Sequence, residues 1–103
     1  MIYISKIISA GGACPYQLEA ETSDGKWMYL RYRGGWLRYV VAESHTSWMK
    51  SKKDSWYDFR MKIGEDLDGW ADHEKFMEML KDKIQFPDGF KFESYSENDK
   101  SDL

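Results

Sequence analysis

The sequence predicts an α+β domain: an antiparallel β-sheet of about five strands in meander order, with one C-terminal amphipathic helix packed on its apolar face. Three observations predict it. Tyr16 to Thr22, Lys26 to Arg33 and Trp36 to Val41 alternate apolar and polar side chains at period two, the mark of half-buried strands. They are joined only by Ser23-Asp24-Gly25 and Gly34-Gly35, residues suited to hairpin turns. After residue 72 the apolar spacing changes to three and four, and a helix with such a stripe needs a sheet face to cover.

Ile2 to Ser9 reads as the first strand, closed by Gly11-Gly12 and Pro15. The length of the next loop decides which side chains oppose each other. A two-residue Asp24-Gly25 loop would set Leu18 opposite Arg31 and Glu19 opposite Leu30, mixing charge into a buried face. A three-residue Ser23-Asp24-Gly25 loop, with Gly25 in the left-handed region, pairs Ala20 with Met28, Leu18 with Leu30 and Tyr16 with Tyr32. The apolar matching selects the second register. A two-residue Gly34-Gly35 turn then pairs Arg33 with Trp36, Arg31 with Arg38 and Met28 with Val41. One face therefore collects Tyr16, Leu18, Ala20, Met28, Leu30, Tyr32, Leu37, Tyr39 and Val41 as core. The opposite face collects Gln17, Glu19, Glu21, Trp27, Tyr29, Arg31, Arg33, Trp36, Arg38 and Val40.

Ala42 to Ser55 loses the alternation and reads as a long loop. Trp56 to Ile63 alternates again, placing Tyr57, Phe59, Met61 and Ile63 on one side and Asp58, Arg60 and Lys62 on the other, so a fifth strand extends the sheet. Asp72 suits the N-cap of a helix running to about Gln85, with Phe76, Met77, Leu80 and Ile84 as its apolar stripe. Pro87-Asp88-Gly89 stops it, and Phe90 to Phe92 returns as a short extended segment. Residues 1–93 form one domain in this reading, and the polar, acidic stretch 94–103 is a disordered tail.

A chain of 103 residues fits one domain near the lower size limit for a self-sufficient core, and 5 Trp, 7 Tyr and 5 Phe make a dense core attainable. At 42% hydrophobic and 32% charged residues, with no apolar run near the roughly 20 residues needed to span a bilayer, the expectation is a soluble chain without membrane contact. MIYISKIISAGG has no basic region ahead of its short apolar stretch, so no signal peptide is expected and the cytoplasm is the default. The lone Cys14 has no internal disulfide partner and is expected to be a small buried residue. The net charge of -3 hides a split: residues 1–62 carry ten Lys/Arg against six Asp/Glu, and residues 63–103 carry five against twelve. Such a dipole steers encounters or pairs protomers head to tail.

The constellation that points most directly to function is the Arg31 and Arg38 pair, because like charges directly opposite on a sheet are destabilising unless something anionic lies beside them. An ion pair with Glu19, one row away, would supply this on a solvated face. Alternatively Trp27, Tyr29, Arg31, Arg33, Trp36 and Arg38 form an exposed binding face, of the residue types enriched at interface hot spots. Overall acidity and the lack of an RNP-type motif argue against a long nucleic acid. Lys50-Ser51-Lys52-Lys53, between Trp48 and Trp56, is a short basic loop beside that face. Glu65, Asp66, Asp68, Asp72 and Glu74 form a second, acidic surface. It fails as a calcium loop, since with Gly69 at loop position six, Gly64 and Lys75 stand at positions one and twelve, where ligands are required. His45, His73 and Cys14 lack partners at metal or catalytic spacing.

These features lead to the expectation of a small non-enzymatic binding protein without cofactor or metal, acting by stoichiometric protein–protein interaction. A short, acidic, aromatic-rich chain is in character with inhibitory, immunity or phage anti-defence proteins that occlude a partner enzyme. The alternative is binding or sequestering of a small anionic ligand such as a nucleotide, with arginines on phosphate and aromatics on a base. Edge strands at Ile2 to Ser9 or Trp56 to Ile63 also leave a homodimer open.

Overall fold

The computed structural model of the chain describes residues 1–12, 15–50, 57–65 and 72–93. Cys14 and the 94–103 tail lie outside the described residues. The strands are β1 (Ile2–Gly11), β2 (Tyr16–Thr22), β3 (Trp27–Arg33), β4 (Trp36–Ala42), β5 (Phe59–Lys62) and β6 (Ile84–Gln85), and the helices are α1 (His45–Lys50) and α2 (His73–Leu80). They build one six-stranded sheet in the order β5-β4-β3-β2-β1-β6. Neighbours from β1 to β5 are antiparallel, so the meander is as the alternation predicts, with β5 added beside β4.

Both hairpin registers are those chosen by loop length and face matching. Tyr16 faces Tyr32, Leu18 faces Leu30 and Ala20 faces Met28. Arg33 faces Trp36, Arg31 faces Arg38 and Met28 faces Val41. Gly25 sits at φ +83, and the buried Thr22 closes the loop by accepting Lys26 N–H on its hydroxyl at 2.9 Å. The expected core face is the core: its residues from Tyr16 to Tyr39 are buried together with Phe76, Leu80, Ile84, Phe86 and Phe92, and Val41 packs against them.

Four differences from the sequence reading have physical causes. First, α2 covers eight residues and ends at Leu80 rather than at about Gln85. Asp72 caps it as expected, accepting Lys75 N–H at 3.1 Å. Ile84, taken as the last residue of the helical stripe, is instead a strand residue, paired in parallel with Ile2. Two turns already bury Phe76 and Leu80, and the chain beyond them pairs its backbone with β1, whose Ile2 N–H donates to Lys83 O at 2.8 Å. The sheet is therefore mixed, and its helix is not the last element. Second, the short extended segment Phe90 to Phe92 packs on the core without joining the sheet. Phe92 turns inward, its N–H donating to His73 Nδ1 at 3.1 Å and its ring lying 5.0 Å from Phe76 and 5.9 Å from Tyr16.

Third, the stretch read as a loop contains α1. Ser44 starts it, accepting Ser47 N–H on its hydroxyl at 3.1 Å and Trp48 N–H on its carbonyl at 3.0 Å. Six residues are too few to show helical periodicity, but they suffice to drive Trp48 onto the sheet. Fourth, β5 begins at Phe59 rather than at residue 56, so the alternation does not extend back to Tyr57. That ring packs on the opposite face from Phe59.

Candidate functional site

The second face of the sheet divides along its strands into rows. In the first two, Glu21, Trp27 and Ala42 lie side by side, then Glu19, Tyr29 and Val40. Trp48 covers these rows. Its ring is 4.9 Å from Tyr29 and 6.3 Å from Trp27, and His45 stacks 4.5 Å from Trp27. Trp27, Tyr29, Val40, Ala42 and Trp48 thus form a second, smaller core. The exposure expected of Trp27 and Tyr29 fails, because both are under 9% accessible beneath α1.

The next two rows carry the cations. Gln17, Arg31, Arg38 and Arg60 stand in register on β2 to β5, followed by Arg33, Trp36 and Lys62 on β3 to β5. Neighbouring strands are about 4.8 Å apart and alternate residues about 6.6 Å apart, so five cations occupy a patch roughly 10 Å by 7 Å. No carboxylate stands in either row. Glu19 belongs to the row of Tyr29, and the residue level with Arg31 on β2 is Gln17, whose Oε1 accepts from Tyr29 Oη at 3.0 Å. Arg33, Arg60 and Lys62 are exposed, and Arg31, Trp36 and Arg38 are half-buried.

Aromatic rings hold several of these cations in place. The Arg60 guanidinium lies 4.4 Å from the Trp36 ring centre, with Lys62 Nζ at 5.9 Å, and Arg38 lies 5.3 Å from the ring of Tyr57. Nε of Arg38 is shielded from water and has no hydrogen-bond partner among the described residues. The structure therefore gathers Arg31, Arg33, Trp36 and Arg38 as the sequence suggests, and adds Arg60 and Lys62. The signal for that pair was present in the alternation of β5, which sets both opposite Phe59 and Met61.

The acidic surface is less coherent. Asp66 and Asp68 lie outside the described residues. Asp72 spends its carboxylate on the α2 cap, and Glu65 and Glu74 are exposed. Lys75 Nζ donates to Ile63 O at 3.2 Å, placing a cation in the region. Of the basic loop, Lys50 ends α1, and residues 51–53 and Trp56 lie outside the described residues. Among the described residues no group of three or more His, Cys, Asp or Glu side chains is placed to hold a metal ion, and no helix is long and apolar enough to cross a membrane. A groove of about 410 Å³ lies on the other face, between Met1, Tyr3, Thr22, Asp24, Val41 and Asp58, away from the cationic rows.

Comparison of the chain with protein-family models, curated proteins and solved structures gave no match.

Proposed function

We propose that this is a non-enzymatic binding protein that docks an anionic surface of a partner protein on the cationic rows of β3, β4 and β5, in the manner of an inhibitor or immunity protein occluding an enzyme. The phage anti-defence setting belongs to the same proposal. A single observation carries the reading: Arg31, Arg38 and Arg60 stand directly beside one another on adjacent strands. Side by side, these guanidinium groups present several donors to one anionic patch and can meet it with charge-assisted hydrogen bonds. Arginine with tryptophan is also the composition of interface hot spots.

The test is affinity capture from the native host, followed by reconstitution of the complex from purified components. Arg38→Glu with Arg60→Glu is expected to weaken the reconstituted complex at least a hundredfold, while Lys91→Glu, an exposed lysine away from the rows, leaves it intact. A complex that survives the double reversal places the docking surface elsewhere. The small-anion reading is favoured by one feature of the same rows, the Nε of Arg38, which is shielded from water without a hydrogen-bond partner among the described residues.

A further inference from the structure

We infer that β1 pairs edge to edge with β1 of a second copy, antiparallel about a two-fold axis between Ile8 and Ser9, so that two sheets join into one. The inference concerns the edge of the sheet and does not rest on the docking reading of the cationic rows.

β1 is ten residues long, but β6 covers its outer side only at Ile2 and Tyr3. From Ser5 to Gly11 it runs beside β2 and, among the described residues, has no strand on its other side. Exposed backbone on such an edge is a template for a further strand. The opposite edge of the sheet, β5, is four residues long and carries Arg60 and Lys62, charges of the kind that discourage a second copy from pairing there. β1 has one charged residue, Lys6, and exposes Ile8 at 39%.

Side-chain direction fixes the register. Through their partners on β2, Ile7 and Ala10 belong to the core face, level with Ala20 and Leu18, whereas Lys6 and Gly11 belong to the second face, level with Glu21 and Gln17. Setting Ile7 opposite Ala10 of the second copy joins core face to core face, and it sets Lys6 opposite Gly11 on the second face. A shift of one residue puts Ile7 opposite a residue of the wrong face. In the matched register β1 of the second copy ends opposite Lys6, short of β6.

Two details select a second copy rather than a strand of another protein. β1 shifts register between Ile4 and Lys6 and again between Ile7 and Ser9, and such bulges bend a strand. A straight strand fits that edge poorly, whereas the two-fold axis lays the bulge at Ile8 beside its own image. The other detail is charge. Gly11 has no side chain, so Lys6 of the second copy lies over the mouth of a groove of about 400 Å³ between Ser9, Gly11, Gln17 and Glu19. Neither Lys6 nor Glu19 makes an ion pair among the described residues, and the symmetric pairing brings them together twice.

Sedimentation velocity of the purified chain from about 5 μM to about 500 μM tests this, with circular dichroism confirming that each variant is folded. The paired segment is short, so a weak dimer that fills with concentration is expected. Ile8→Lys, at a side chain exposed in the single chain, should weaken the dimer at least tenfold. Lys6→Glu and Glu19→Lys should each weaken it about tenfold, and the two together should restore it. Met61→Lys, on β5, should leave it unchanged. A wild-type chain that stays monomeric at about 500 μM overturns the inference. A dimer indifferent to Ile8→Lys overturns it too, as does one that Met61→Lys abolishes. A double charge swap no tighter than the single reversals overturns the register, and the inference with it.

Discussion

The hydroxyl of Tyr16 is shielded from water and has no hydrogen-bond partner among the described residues, so burial, with Glu93 adding to it, holds its ionisation above the ordinary phenol range. Tyr39 is shifted the same way by burial and by Asp58. A raised phenol pKa means the folded state keeps a proton that the unfolded chain releases. The contribution to stability is therefore complete below the unfolded value near 10 and is lost as pH rises above it. Melting temperature followed from pH 8 to 11.5 should hold steady and then fall above about pH 10, with a shallower fall in Tyr16→Phe. Near neutral pH Tyr16→Phe should match or exceed wild-type stability, since an unsatisfied buried hydroxyl costs about 1–3 kcal/mol. A clear loss there would mean that the hydroxyl has a partner. Two glycines provide a second residue-scale contrast. Gly25, at φ +83, has open space where a Cβ would go, whereas Gly35, at φ +79, would drive that Cβ into the carbonyl oxygen of Gly64. Gly25→Ala should cost about 1–2 kcal/mol in urea unfolding through the left-handed backbone alone. Gly35→Ala should cost about a further 1–3 kcal/mol, because the end of β5 must move away. Equal losses would refute the close approach.

Among the elements, α1 decides most about the second face despite its six residues. It converts half of an apparently exposed aromatic face into a core and so confines the open cationic surface to the ends of β3, β4 and β5. Trp48→Ala should cost about 3–5 kcal/mol and shift the tryptophan emission to the red as Trp27 becomes wet. The main core lies on the other side of the sheet, so far-UV circular dichroism in the cold should hardly change. A loss below about 1 kcal/mol would show that α1 is not held by Trp48. The hairpins are the elements most legible in the sequence, because a tight turn and period-two alternation fix register locally, within about twenty residues. The β4 to β5 register was not legible. Sixteen residues, 43–58, separate Ala42 from Phe59, and no turn chemistry spans such a connection. For this reason Arg60 could be assigned to the polar side of its strand but not to the row of Arg31 and Arg38.

Across the whole molecule, the sheet is covered unequally on its two faces, by α2 and the Phe86 to Phe92 segment on one and by α1 on the other, and the cations gather at the end of the second face away from α1. That concentration should show as a salt response of the free protein. Raising the salt from about 10 mM to about 1 M cuts the Debye length from about 30 to about 3 Å, and the melting temperature should rise as repulsion along the arginine row is screened. Arg38→Gln with Arg60→Gln should flatten that rise. An identical slope in the variant would mean that the row is neutralised within the fold. The sequence by itself determined the strand faces, both hairpin registers, the main core and the opposition of Arg31 to Arg38, since each follows from alternation and turn length between near neighbours. Only the tertiary structure decided that Trp48 closes half of the second face, that α2 gives way to a strand beside β1, and that Arg60 completes the row. Those outcomes depend on which distant surfaces meet, and burial of a side chain against a partner far along the chain leaves no periodic trace at either site.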